Sequence, residues 1–160
     1  MNIKGTALIS TLNYVKKYHL DKYEDFLFEL PEKTQVMFQE GILASNWYPI
    51  KELYIESTKT ITKLFFDGDE DKAAYELAKN GGQEALKDIY KVFVKIASMD
   101  FVSKRLDSIF ATYYSEEGLS IEDNGKTKIF KISGFKKDEA IIWIAGWAES
   151  LFTFISSAPW

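Results

Sequence analysis

Through the first two thirds of the chain, apolar side chains return every three or four positions, the spacing of helices buried along one face. Ala7, Leu8, Leu12 and Val15 mark a helix over Thr6–Tyr18, and Lys16 and Lys17 near its end suit the negative pole of the helix dipole. After His19 and Leu20 a second start is predicted at Asp21, with Tyr23, Phe26, Leu27 and Leu30 on one stripe. Pro31 ends that helix and opens a short one to Glu40, closed at Gly41. Ser45 or Asn46 can cap a longer helix reaching about Phe66, with Pro49 in its first turn. Asp67–Asp71 and the triplet Asn80-Gly81-Gly82 read as stops on either side of Lys72–Lys79, and further helices are predicted over Glu84–Ser98 and Asp100–Tyr114.

Past Gly118 the period changes to two. Asn124-Gly125 between alternating segments predicts a type I′ hairpin near 119–133, with Leu119 facing Phe130 and Ile121 facing Lys128. A hydrophobic C-terminal helix follows over 138–155. Its apolar run from Ala140 to Ile155 is shorter than the roughly 20 residues that span a bilayer and is interrupted by Glu149, so it reads as buried. The fold expected is helix-rich α+β: seven to eight helices with a late antiparallel β-hairpin packed on them. Trp147→Ala is then expected to cost roughly 3 to 5 kcal/mol.

Composition narrows the classes of function. With 160 residues and 46% hydrophobic content, residues 1–160 close one core and form a single domain. The absence of cysteine excludes disulfides, thiolate metal sites and cysteine nucleophiles, and one histidine excludes a His-rich metal cluster. A net charge of -4 supplies no field for nucleic acid, so no nucleic-acid partner is expected. Ser10, Thr11 and Asn13 break the first apolar stretch, so no secretory leader is read and a cytoplasmic location is expected.

Few groups suggest chemistry. Asp67, Asp69 and Asp71 repeat the odd-position carboxylates of a calcium loop, but Lys72 stands where the loop needs glycine and Ala78 where it needs glutamate. A helix cap with acids in the first turn explains them better. His19 has no nucleophile or orienting acid in a recognisable constellation and reads as a partly exposed turn residue near Asp21. Lys126, Lys128, Lys131, Lys136 and Lys137 make the hairpin basic, as lysines that guard an exposed sheet edge do. Gly81-Gly82 lacks the lysine and hydroxyl of a phosphate loop. The aromatic surplus is the feature with functional weight: Trp47, Tyr48, Phe101, Tyr113, Tyr114, Trp143 and Trp147 suit a core, a ligand pocket or an interface. Trp143 and Trp147 share a helical face beside Gly146, where another backbone can approach.

Certain residues also carry a resemblance. Ile3-Lys4-Gly5, Trp47-Tyr48-Pro49, Tyr90 with Phe93, Tyr113-Tyr114 followed by Gly118, and Ile132-Ser133-Gly134-Phe135 before Gly146-Trp147 resemble an uncharacterised bacterial family first noticed in myxobacteria. That family is similar to haem-NO/oxygen-binding and 4-vinyl-reductase-type ligand-binding domains. The resemblance implies a non-catalytic sensory module with an apolar pocket for a small molecule. Haem-binding relatives hold iron through a helix histidine; Met99–Arg105, the corresponding stretch, has none, so no haem and no other cofactor is expected.

Two functions therefore stand beside each other: small-molecule sensing in signalling, and a protein-interaction or homo-oligomerisation module pairing as a homo-dimer through the C-terminal helix. An enzyme is not expected, because no acid–base pair, nucleophile or metal set is legible.

Overall fold

The computed structural model of the chain describes residues 2–87, 108, 111, 118–123, 127–133, 146–147, 149–150 and 153. Its architecture is helix-rich α+β. Strand β1 (Asn2–Lys4) runs into helix α1 (Gly5–Tyr18), and a 3-10 turn (Leu20–Lys22) leads to α2 (Tyr23–Glu29) and α3 (Glu32–Gln39). Strand β2 (Trp47–Pro49) then passes into a π-helical turn (Ile50–Ile55), followed by α4 (Glu56–Phe65) and α5 (Glu70–Lys87). Strands β3 (Gly118–Asp123) and β4 (Lys128–Ser133) form a second antiparallel ribbon. The described residues thus hold five α-helices rather than seven to eight, and the predicted helices over 100–114 and 138–155 lie largely outside them.

Three differences from the sequence reading have physical causes. First, Trp47–Pro49 is a strand, not the approach to a helix: β2 pairs antiparallel with β1, Ile3 opposite Tyr48. Proline disfavours the helical region for the residue before it, and Pro49 itself is extended (φ -58°, ψ 119°). Second, α5 runs straight through Asn80-Gly81-Gly82. Third, β3 and β4 pair with Leu119 opposite Ile132 and Ile121 opposite Phe130, and pairing ends at Asp123–Lys128. Residues 124–127 separate the paired ends, so the connection is longer than the two residues Asn124-Gly125 suggested, and the register moves by two.

Two apolar clusters hold the helices. Tyr14, Val15, Phe26, Leu30, Ile61 and Leu77 join α1, α2, α4 and α5. Ile3, Leu8, Ile50 and Leu53 join the β1–β2 ribbon to α1 and the π-turn. The face of α4 is unusually polar for a buried one, because Ser57, Thr60 and Thr62 are all buried. Each hydroxyl donates to the carbonyl four residues earlier, to Leu53, Glu56 and Thr58 respectively, so no polar atom there is stranded. The π-turn is stitched from outside: the buried Thr34 hydroxyl on α3 donates to the Glu52 carbonyl at 2.7 Å.

Candidate functional site

Only three of the seven aromatic candidates fall among the described residues, and they occupy two separate environments. Trp47 and Tyr48 belong to the corner where the loop 41–46 meets β1. Gly5 N–H donates to the Asn46 carbonyl (2.9 Å), Asn46 N–H to the Leu43 carbonyl (3.1 Å), and Leu43 N–H to the Tyr48 hydroxyl oxygen (2.8 Å). Tyr48 is therefore a half-buried clamp packed on the Ile3–Leu8 cluster. Trp47 is 42% exposed, with the Lys4 ammonium 4.4 Å from its ring centroid, a cation–π pair open to solvent.

Trp147 lies elsewhere. It is half-buried on a helical stretch that crosses α5 at backbone range, not the fully buried residue that a roughly 3 to 5 kcal/mol loss presupposes. A Cβ on Gly146 would overlap the Tyr75 carbonyl oxygen, and one on Gly82 would stand 2.8 Å from Ser150 Cβ and 3.2 Å from the Trp147 carbonyl oxygen. Ser150 Oγ donates to the Lys79 carbonyl at 2.7 Å, and Lys79 Nζ pairs with Glu149 at 2.9 Å. The close approach that Gly146 permits is thus made by α5 of the same chain. Phe101, Tyr113, Tyr114 and Trp143 lie outside the described residues.

This crossing brings together groups that the sequence reading did not single out. Ser10 Oγ on α1 and Asn80 Oδ1 on α5 are buried and meet no hydrogen-bond partner among the described residues. Asn80 is 4% exposed, and the neighbouring Gly81 faces Ser10, whose Oγ is 3.7 Å from where a Cβ would stand. Apolar neighbours on α5, Ala73, Leu77 and Ala78, are buried as well. An orphaned buried polar atom costs about 1–3 kcal/mol, so two near one helix crossing mark a place where a hydroxyl or amine donor would be stabilised. The available signal was an asparagine at a core-facing helical position, four residues before Glu84 and three after Leu77, read instead as a stop because two glycines follow it.

No family model, characterised protein or solved structure matches this chain. The remaining chemistry must be read from its own side chains.

His19 caps the C-terminus of α1 and stacks on Phe65, ring centroids 4.0 Å apart and planes 5° from parallel, with Tyr14 at 6.0 Å. Burial holds its pKa below the ordinary value against the pull of Asp21, with Lys22 adding to the depression. Beside it, burial pushes the Tyr14 hydroxyl up to about 12, helped by Glu76 and Tyr18. A folded-state histidine pKa below the unfolded value means that neutral His19 stabilises the fold above pH 6.5, and this contribution is lost as pH falls through the depressed folded value. Thermal unfolding of the wild type is expected to move to lower temperature between about pH 7 and about pH 5, and His19→Phe, which keeps the stack, should flatten that segment. A pH profile identical in the two proteins would show that His19 does not contribute.

The acidic run is a helix start. Asp69 Oδ1 accepts from Lys72 N–H at 3.0 Å at the head of α5, while Asp67 and Gly68 turn the chain with positive φ (52° and 84°). Lys59, Thr62, Lys63, Asp67, Gly68 and Glu70 line an open cleft of about 390 Å³ there. Its two lysines are already engaged: Lys63 pairs with Glu29 at 2.6 Å and Lys59 with Glu56 at 3.0 Å. On the ribbon, Lys131 pairs with Glu122 on the neighbouring strand. Among the described residues, no three His, Asp or Glu side chains gather closely enough to hold a metal, and no helix is long and apolar enough to cross a membrane.

Proposed function

We propose that this chain is a non-catalytic, cytoplasmic binding module that takes a small molecule of mainly apolar character, the reading that the resemblance to haem-NO-binding-like domains also implies. The observation that supports it is the pair of orphaned atoms, Ser10 Oγ and Asn80 Oδ1, at the crossing of α1, α5 and the Trp147 stretch. Small-molecule sites are mostly apolar with a few placed polar groups, and α5 carries the buried Ala73, Leu77 and Ala78 on the same helix as the Asn80 acceptor, with the Ser10 hydroxyl facing Gly81. Haem forms no part of the proposal, since the helix histidine that would ligate it is missing from Met99–Arg105.

Native mass spectrometry of freshly purified protein tests this reading. The expected result is an adduct of a few hundred daltons on the wild type that disappears in Ser10→Ala and Asn80→Leu. A bare chain with no adduct overturns it, because ordered water alone then meets the two polar atoms.

One observation favours a second reading, a protein-interaction or homo-oligomerisation module. Phe28 is 80% exposed and Leu20 71%, both on the short helical stretch before α3, with Phe28 held in place by Gln35 Nε2 donating to its carbonyl at 2.9 Å. The same spectrum discriminates: a ligand-free dimer that Phe28→Ser returns to monomer would carry this second reading.

A further inference from the structure

Ser10 stands apart from the other hydroxyls of these helices. Thr11, Ser57, Thr58, Thr60 and Thr62 each donate to the carbonyl four residues earlier, the usual outlet for a hydroxyl on a helix. Ser10 Oγ is buried and makes no such bond. Asn80 is its counterpart on α5, a buried residue whose Oδ1 meets no partner among the described residues. The two helices meet here, since Gly81 faces the Ser10 hydroxyl. One turn away along each, Tyr14 and Leu77 belong to the same apolar cluster. The charges nearest in sequence are partly exposed and occupied: Lys79 pairs with Glu149 at 2.9 Å, and Glu84 accepts from Asn13 Nδ2 at 3.4 Å. Among the described residues no charged side chain is buried.

We infer that the ligand of this junction is a neutral alcohol or phenol, a class that rests on the binding-module reading above and narrows it. A carboxamide oxygen only accepts, so the ligand must bring a donor to Asn80; a serine hydroxyl both gives and takes, so Ser10 meets a hydroxyl as readily as a carbonyl. Asn80 is thus the selective group. Hydrocarbons, ethers and ketones leave its Oδ1 stranded, and a carboxylate sets oxygen against oxygen. An ammonium carries donors, but it surrenders its hydration where no buried carboxylate among the described residues answers its charge. A hydroxyl supplies the donor without the charge. The rest of the molecule is apolar, in keeping with the cluster one turn away that holds Tyr14 and Leu77.

Calorimetric titration of the full chain with octanol, octanone, octanoate and octylamine tests the class, because the four share an apolar body and differ at the polar end. Octanol should bind at least about tenfold more tightly than each of the others, the difference between a satisfied and a stranded acceptor. Asn80→Leu, which puts an apolar group of similar size in place of the orphaned one, should erase that preference. Ser10→Ala, a smaller change, should weaken octanol and octanone alike and leave their order as it is. Equal affinity for octanol and octanone overturns the inference, as does a preference that survives Asn80→Leu, or binding by none of the four. Equal affinities here together with an adduct in the mass spectrum of the purified wild type would remove the ligand class and leave the binding module standing, so the two readings fail separately.

Discussion

Gly5→Ala is expected to destabilise the protein by about 3 kcal/mol, the upper part of the range for forced overpacking. Gly5 is buried at the junction of β1 and α1, and a Cβ there would overlap the Leu43 carbonyl oxygen, stand 2.9 Å from the Leu43 carbonyl carbon and 3.1 Å from Tyr48 Cε2. Most of the obstacle is backbone, which cannot rotate aside. Relieving the overlap means pushing the loop 41–46 outward, which breaks the 2.9 Å bond from Gly5 N–H to Asn46 and the bond from Leu43 N–H to Tyr48. Chemical denaturation would show a lower midpoint. An unchanged midpoint would mean that the loop does not pack on β1 as described.

The second large effect belongs to the crossing of α5, where three glycines stand in different surroundings. Gly146→Ala would drive a methyl into the Tyr75 carbonyl and toward Lys79 N, so a loss of about 3 kcal/mol is expected. Gly82→Ala meets Ser150 Cβ at 2.8 Å, and a loss of about 1–2 kcal/mol follows if Ser150 yields and its bond to Lys79 lengthens. Gly81→Ala meets only Ser10 Oγ at 3.7 Å, ordinary contact, and should stabilise α5 by about 0.5–1 kcal/mol through helix propensity. The order of the three thermal midpoints is the measurement. Three equal losses would indicate that general helix disruption, not the crossing, governs this region.

The contrast between Gly81 and Gly82 also shows where one-dimensional reading stops. Asn80-Gly81-Gly82 has poor helix propensity at each position, and locally it is punctuation. In the fold it continues a helix, because glycine at 82 admits the Trp147 carbonyl and the Ser150 side chain, and burial against that stretch and α1 outweighs a propensity cost of about 1 kcal/mol per glycine. Nothing local announces a partner 65 positions away. Trp47-Tyr48-Pro49 carries the same lesson for strands: three residues become β2 because β1 is there to pair with, 45 positions earlier.

The aromatic candidates do not share one place in the fold. The aromatic positions drew attention to Trp47, Tyr48 and Trp147, yet one is an exposed ring under Lys4, one is a clamp for a loop, and one is half-buried on the separate helical stretch that crosses α5. Of the polar pair proposed to meet a ligand, Asn80 left only its core-facing helical position as a signal and Ser10 left none, since an orphaned atom is defined by what fails to meet it.

By itself the sequence determined what periodicity and local chemistry can determine. The helical stripes of α1, α2 and α4, the stop at Pro31, the positive-φ turn at Gly41 and the Asp69 cap follow from side-chain spacing, the proline ring and a carboxylate beside free N–H groups. The tertiary structure decided the continuity of α5, the β1–β2 ribbon, the register of β3 with β4 and the hydrogen bonds that hold the loop 41–46. Each of those depends on atoms brought together from distant parts of the chain, and close backbone approach and hydrogen-bond satisfaction are properties of the pair, not of either segment.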